Sequence, residues 1–149
     1  MIAFVTAGGG FLLAVLWFDL MFDVQVRGQR DRELPEASLS SIAAYYARVT
    51  TAARPMNRLI AAVMLTTIAA VVAEIANGDV PTAVAWASLA LAVTPIVLVA
   101  ALTVPNAVRL GARRDSLEHQ SALARAIFRD HVLCLASIGA LIALQLAVA

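Results

Sequence analysis

The chain has 149 residues, of which 62% are hydrophobic and only 14% are charged. Soluble domains are about 45–50% apolar and about 25% charged, so this composition excludes an ordinary soluble globular protein. The 11 basic residues, all of them arginines, nearly balance the 10 acidic residues. The net charge therefore gives no reason to expect nucleic acid as a partner, and we expect none.

Four long apolar stretches cover about residues 2–22, 56–76, 80–104 and 132–149. At about 1.5 Å rise per residue, a helix of about 18–25 residues crosses a hydrocarbon core of roughly 30 Å. We therefore predict a single membrane domain over residues 1–149. Its predicted fold class is all-α: a polytopic, four-helix transmembrane bundle with amphipathic cytoplasmic helices in the polar loops, at about residues 24–55 and 105–130.

The first polar loop is predicted to contain an amphipathic helix over Glu36–Ala53. Pro35 and Glu36 suit the first turn of a helix. Apolar residues then recur at spacings of three and four, at Leu39, Ile42, Tyr46, Val49 and Ala53. We expect this helix to lie on the membrane surface or against the bundle. Before it, Gly28 and the charged residues 27–33 predict a turn.

The remaining elements follow from local signals. The sequence Asn77-Gly78-Asp79 predicts a tight turn, which makes the second and third spans an antiparallel hairpin. Pro95 predicts a kink in the third span, because proline removes one backbone hydrogen bond. The fourth span is predicted to begin early, about three turns outside the membrane, because apolar residues precede it at helical spacing.

The distribution of the arginines predicts the orientation. All eleven lie in, or at the edges of, the first and third polar loops. The positive-inside rule places these loops in the cytoplasm and both termini outside. The alanine-rich, lysine-free composition is typical of a GC-rich bacterial genome, so we expect a multi-pass protein of the bacterial inner (cytoplasmic) membrane. Its arginine loops should attract anionic lipid headgroups.

Small residues recur at helical spacing in every span. Examples are Ala3, Ala7, Gly10 and Ala14 in the first span and Ala136, Ala140, Ala143 and Ala147 in the fourth. Small side chains permit close backbone approach between membrane helices. We therefore expect these stripes, and the Gly8-Gly9-Gly10 sequence, to lie at helix contacts.

Polar residues mark the cytoplasmic ends of all four spans. Asp19 and His131 are the candidate catalytic residues. The candidate ligand-binding residues are Asp23, Asn57, Arg58, Asn106, Arg109 and Arg129. Ionisable groups within a membrane are costly and mark a functional site or a structural pair.

Asp19 is the most informative of these residues, because large apolar side chains flank it on both sides. A second protein surface must cover it: the amphipathic helix, another span or a second subunit. An ion pair with Arg58 or Arg129 is one expectation. A carboxylate that handles protons or binds a ligand, and ordinary exposure at the membrane interface, are the alternatives.

The sequence predicts no metal site and indicates no particular cofactor. His119 and His131, the only histidines, are twelve residues apart, which places them about 120° apart on one helix. A mixed site of Asp19, Asp23 and His131 is the alternative. Tyr45, Tyr46 and Trp17 are interpreted as aromatic residues of the membrane interface. Asp115 and His119 are expected to form a solvated pair on one helix face.

The layout resembles that of the anthrone-oxygenase-like family of small four-helix membrane proteins. The resemblance rests on four short spans, a glycine-rich first helix, Pro105-Asn106 before a basic segment, and Arg129 and His131 at the start of the last helix. It implies oxygenation of a hydrophobic aromatic substrate without an obvious metal.

Three functions are compatible with these features. The first is a non-catalytic subunit or helix-packing partner in a homo-oligomer or larger membrane complex. The second is a small membrane enzyme, oxygenase-like, that acts on a hydrophobic substrate near Asp19, Asn57, Asn106 and His131. The third is a protein that binds or transports a lipid, quinone or pigment.

Overall fold

A computed structural model of the protein describes residues 1–28 and 33–149. It contains five helices: α1 (Ile2–Asp23), α2 (Glu36–Thr51), α3 (Arg54–Asn77), α4 (Thr82–Ala112) and α5 (Leu117–Leu146). A 3-10 turn at Val24–Val26 extends α1. Part of the predicted turn at 27–33, including Arg30 and Arg32, lies outside the described residues.

The predicted fold class is confirmed. The described residues form no strand, and α1, α3, α4 and α5 are each long and apolar enough to cross a membrane. Large apolar side chains cover the outside of these helices; Phe4 is 71% exposed and Leu65 is 67% exposed. Such a surface requires lipid or another apolar partner in place of water.

The helix α4 is longer than predicted, with 31 residues, whereas α5, with 30 residues, begins well before the apolar stretch at 132–149, as predicted. At 1.5 Å per residue each is about 45 Å long, roughly 15 Å more than a hydrocarbon core. The segment predicted as a loop at 105–130 is therefore mostly helical, and only residues 113–116 connect the two helices. Polar residues in this segment mark where the helices leave the apolar region, and not where they end. Ser116 caps α5 by accepting a hydrogen bond from the backbone of His119.

The amphipathic helix α2 packs against these extensions. Its predicted apolar face is buried at Leu39, Ile42 and Tyr46. Gly111 of α4 permits the contact, because a Cβ there would lie 2.8 Å from the backbone nitrogen of Ala47. The resulting group of buried residues, here called the extramembrane core, comprises Val26, Leu34, Leu39, Ile42, Ala43, Tyr46, Ala107, Leu110, Leu123, Ala124 and Ile127.

A second group of buried residues, here called the membrane core, lies between the four long helices. It comprises Val5, Leu12, Ala70, Val71, Ala92, Ile138 and Leu141. Gly8 and Gly9 belong to helix contacts as predicted: a Cβ on Gly8 would collide with the side chain of Thr67, and one on Gly9 would lie 2.8 Å from Ile142. The two cores are stacked along the bundle, and α5 contributes to both.

The expectation for the small-residue stripes was wrong. In α1 the residues Ala3, Ala7, Gly10 and Ala14 are exposed. So are Ala136, Ala140 and Ala143 of α5, and Ala147 directly after it. Within the chain, burial favours the larger apolar residues on the opposite faces, because they fill the space between the helices. The stripes therefore lie on the outer surface of the bundle.

Prolines shape α4 around its middle. Pro95 has no N–H, so it leaves the carbonyl of Leu91 without its helical donor. The hydroxyl of Ser137 on α5 donates to that carbonyl at 2.9 Å. A π-helical turn follows at Val99–Thr103, and Pro105 lies two residues after it. Such turns occur frequently at functional sites.

Candidate functional site

A cluster of Asp23, His131 and Tyr46 lies where the two cores meet. Asp23 is the last residue of α1 and is fully buried, with 0% exposure. One oxygen of its carboxylate, Oδ1, accepts a hydrogen bond from the Tyr46 hydroxyl at 2.6 Å. The other oxygen, Oδ2, lies 2.7 Å from Nδ1 of His131. In the tautomer with a proton on Nδ1, the imidazole donates this hydrogen bond to the carboxylate.

Asp19 lies one helical turn before Asp23 and extends the cluster. Its Oδ1 accepts a hydrogen bond from the Tyr45 hydroxyl at 2.6 Å. Its Oδ2 lies 4.0 Å from Nε2 of His131. Phe22 stacks on the Tyr45 ring, with 4.0 Å between the ring centres, and holds that ring in place. The amphipathic helix α2 thus supplies the surface that covers Asp19.

Both tyrosines act as hydrogen-bond donors to carboxylates. Burial raises the pKa of Tyr46 above its usual value, and the charge of Asp23 raises it further. Burial and the hydrogen bond to Asp19 likewise raise the pKa of Tyr45. In each case a negative phenolate beside a carboxylate is unfavourable, so the phenol keeps its proton.

A third carboxylate, Asp130, lies beside this cluster and is buried. It accepts a hydrogen bond from the hydroxyl of Thr103, the last residue of the π turn, at 3.3 Å. The exposed guanidinium of Arg129 lies 3.6 Å from its other oxygen. Asp130 therefore connects α4 to α5, next to His131 but through different partners.

The cluster borders a cavity of about 430 Å³. Polar side chains, among them Asp19, Tyr46, Asn57 and His131, line its extramembrane end. The part toward the membrane core is apolar and includes Leu12, Met64, Ala92 and Ile138. No arginine is found among the described residues that line it. The cavity therefore suits a mainly apolar molecule with one neutral polar group.

The cavity opens sideways between α3 and the second half of α4. In the described structure, α3 packs on Thr82–Leu98, but none of its Cα atoms lies within 8 Å of a Cα atom of Val99–Ala112. The residues that line this gap are exposed: Asn57 and Ala61 on α3, Val104 and Val108 on α4. A molecule can thus reach the cluster from the side of the bundle.

The other predicted site residues are distributed unevenly. Asn57 lines the cavity and donates a hydrogen bond to the carbonyl of Val49. Arg58 is exposed, and Asn106 is half-buried outside the cavity lining. Arg109 lies at the turn between α4 and α5, where its guanidinium donates to Asp115 at 3.1 Å and to His119 at 2.9 Å.

Two expectations about this cluster are corrected. Asp19 does not pair with Arg58 or Arg129; its partners are Tyr45 and His131. Tyr45 and Tyr46 are not simple interface aromatics, because their hydroxyls donate to the two aspartates. The sequence held a signal for Tyr46. It lies on the predicted buried face of α2, and a buried tyrosine hydroxyl usually needs a hydrogen-bond partner.

Asp19, Asp23 and His131 do converge, as the alternative of a mixed metal site required. The described residues nevertheless contain no group of three or more histidine, cysteine, aspartate or glutamate side chains with a geometry suited to a metal ion. Here the imidazole nitrogen Nδ1 is engaged by Asp23.

A separate polar cluster at the opposite end of the bundle was not predicted as a site. Glu74, Ser88 and Gln145 belong to α3, α4 and α5, and each has 0% exposure. The Gln145 amide nitrogen donates to Glu74 at 2.9 Å and to Ser88 at 3.0 Å. Its sequence signal was present: Glu74 is the only acidic residue of the predicted second span, and Gln145 is the only amide of the fourth.

Comparisons with protein-family models, curated proteins and solved structures found no match.

Proposed function

We propose that this protein binds a lipophilic molecule carrying a hydroxyl or carbonyl group, and that His131 exchanges a proton with that group. The protein would then be a small membrane enzyme. The observation that carries the proposal is the orientation of His131. Its Nδ1 contacts the buried carboxylate of Asp23, while its Nε2 lies toward Asp19. His131 and Asp19 both line the apolar cavity.

The geometry supports a general-base role. With the proton of a neutral imidazole on Nδ1, the lone pair of Nε2 is available to accept a proton. Asp23 orients the ring and stabilises the imidazolium that forms, and the Tyr46 hydroxyl keeps Asp23 in position. The 4.0 Å gap between Nε2 and Asp19 Oδ2 suits an oxygen atom that contacts both groups.

The cavity supports the choice of ligand class. An anionic headgroup would meet Asp19 without a lining arginine, so the polar group of the ligand should be neutral. The gap between α3 and α4 would admit such a molecule from the bilayer. The oxygenase activity that the family resemblance implies remains a prediction; the proposed base would supply its deprotonation step.

The test compares two probes of nearly equal shape, 1-naphthol and 1-methoxynaphthalene, on the protein in nanodiscs. Binding is measured by calorimetry, with empty nanodiscs to subtract partition into lipid. A hydrogen bond to the neutral imidazole contributes about 0.5–1.5 kcal/mol, so 1-naphthol should bind about 2–10-fold more tightly. His131→Gln should remove this preference. His119→Gln, at the exposed α4–α5 turn, is the matched control and should keep it.

Equal affinity for both probes would contradict the proposed site, as would loss of the preference in His119→Gln. Catalysis is examined separately by mass spectrometry of lipid extracts from cells that express the wild type or His131→Gln. The wild type should deplete one lipophilic compound and accumulate another. Identical extracts from the two kinds of cell would contradict the proposed catalytic step, and the protein would then only bind the molecule.

A second candidate is the non-catalytic subunit of a homo-oligomer or larger membrane complex. The outward-facing small residues of α1 and α5 favour it, because they permit close approach of another helix. Asp19 itself gives it no support, since α2 of the same chain covers that residue. Cross-linking in native membranes tests it: a single species at the monomer mass would speak against this candidate.

The orientation is also proposed here: a bacterial inner membrane, with the arginine-rich end in the cytoplasm and both termini outside. The support is that every described arginine lies at or near the end formed by α2 and the α4–α5 turn. Anionic headgroups would gather at this end. Single cysteines at Asn77 and Arg114 should react with a membrane-impermeant maleimide from opposite sides. Labelling of both from one side would refute it.

A further inference from the structure

The polar cluster of Glu74, Ser88 and Gln145 contains a buried carboxylate that lacks part of its hydrogen-bond partners. Of its two oxygens, Oε2 accepts one hydrogen bond from Gln145, while Oε1 has no partner among the described residues. The amide oxygen of Gln145 is equally buried and also has no partner in the described structure. No ion pair of the described residues involves Glu74. A charge in this position requires compensation that these side chains do not supply.

We propose that Glu74, Gln145 and Ser88 form a binding site for a small monovalent cation, such as Na⁺. Carboxylate, amide carbonyl and hydroxyl oxygens are the donor types that hard cations prefer. Each of the three residues comes from a different helix, so a cation would join α3, α4 and α5. The site lies about 21 Å from His131 along α5, since 14 residues separate positions 131 and 145.

The amide of Gln145 can present either of its ends to the other two residues. A rotation of 180° exchanges its nitrogen and oxygen. The oxygen then occupies the place of Nε2, which lies 2.9 Å from Glu74 Oε2 and 3.0 Å from Ser88 Oγ. Oxygens from three helices would thereby converge on one point, with the second Glu74 oxygen beside them.

Charge balance selects the valence of the cation. One carboxylate and two neutral oxygen donors carry a single negative charge, so a monovalent cation leaves the site neutral. A divalent cation would leave one uncompensated positive charge inside the bundle, where burial of net charge is costly.

The experiment measures thermal unfolding of the detergent-solubilised protein in chloride salts of Na⁺, K⁺ and N-methyl-D-glucamine at one ionic strength. A cation that binds only the folded state should raise the unfolding midpoint by about 5 °C at concentrations well above its dissociation constant. Either Na⁺ or K⁺ should produce this shift relative to N-methyl-D-glucamine, which is too large for the site.

Glu74→Gln has nearly the same shape and can still bond to Gln145, but it lacks the charge. It should lose the cation-dependent shift, whereas Glu118→Gln, on an exposed part of α5, should retain it. Equilibrium binding of ²²Na⁺ gives a second readout if Glu74→Gln is too unstable to compare. The proposal is overturned by equal wild-type midpoints in all three salts, or by a shift that survives in Glu74→Gln.

Discussion

The hydrogen bond between Tyr46 and Asp23 gives a quantitative prediction. Tyr46→Phe removes one hydroxyl and leaves the ring in the extramembrane core, so no cavity larger than an oxygen atom forms. The lost contact is a 2.6 Å hydrogen bond to a fully buried carboxylate. Hydrogen bonds to charged groups contribute about 1.5–3 kcal/mol. Tyr46→Phe should therefore lower the free energy of unfolding by about 2 kcal/mol.

Tyr45→Phe is the matched control, because its hydroxyl makes a bond of the same length, 2.6 Å, to Asp19. The Asp19 side chain is 16% exposed and Tyr45 is half-buried, so water can replace the lost donor. This variant should lose only about 1 kcal/mol or less. Both values are measured by equilibrium unfolding in mixed micelles with increasing SDS.

A double-mutant cycle with Asp23→Asn isolates the contact itself. If Tyr46 acts on the carboxylate, Tyr46→Phe should cost less in the Asn background, with a coupling energy of about 1 kcal/mol. Equal losses for Tyr46→Phe and Tyr45→Phe, together with no coupling to Asp23, would refute the reasoning. Tyr46 would then stabilise the core only through its ring.

Three further outcomes are expected. Gly111→Ala should destabilise the protein by about 1–3 kcal/mol, because the added Cβ would lie 2.8 Å from the backbone of Ala47. Gly139→Ala should be neutral or stabilising, because a Cβ there would have no atom within 4 Å. Unfolding midpoints that rank the other way would contradict the α2–α4 contact. Ser137→Ala should cost about 1 kcal/mol of stability in the wild type. The cost should be smaller in a Pro95→Ala background, where the N–H of residue 95 can again donate to the carbonyl of Leu91. An equal cost in both backgrounds, measured in SDS titrations, would argue that Ser137 does not replace this missing donor. The pKa of Tyr45 and Tyr46 is raised above 10.0 in the folded state, so their contribution to stability is present below pH 10 and should decline at higher pH. The double Phe variant should show a smaller decline. Equal slopes of the free energy of unfolding against pH in the wild type and this variant would exclude the effect.

The membrane fold was predictable because its signals are local. Span length, the Gly78 turn and the spacing of Leu39, Ile42 and Tyr46 each depend on a few neighbouring residues. The turn forms as expected, with Gly78 in the left-handed conformation at φ 67°. The C-terminal end of α4 was predicted too early, because polarity reports exposure and not helix termination. The early start of α5 was predicted from the spacing of its apolar residues.

The candidate site was only half predictable for the same reason. Asp19, Asp23 and His131 stand out as ionisable residues next to apolar spans, so sequence alone brought them forward. Their partners are long-range: 108 residues separate Asp23 from His131, and 23 separate it from Tyr46. The partner of each carboxylate depends on how the helices are rotated about their axes in the bundle. The alanine stripes face outward, so the composition of a helix did not predict its rotation.

The placement of Asp23 and His131 on the first and last helices has a consequence for biogenesis. While the ribosome is still synthesising α5, both aspartates of α1 have already entered the membrane without their imidazole neighbour. A chain interrupted before residue 131 would therefore carry two aspartates that can meet their tyrosine donors but lack the imidazole. The contact between Asp23 and His131 can thus form only after the last helix has been made, so it joins the two ends of the chain as the final step of assembly.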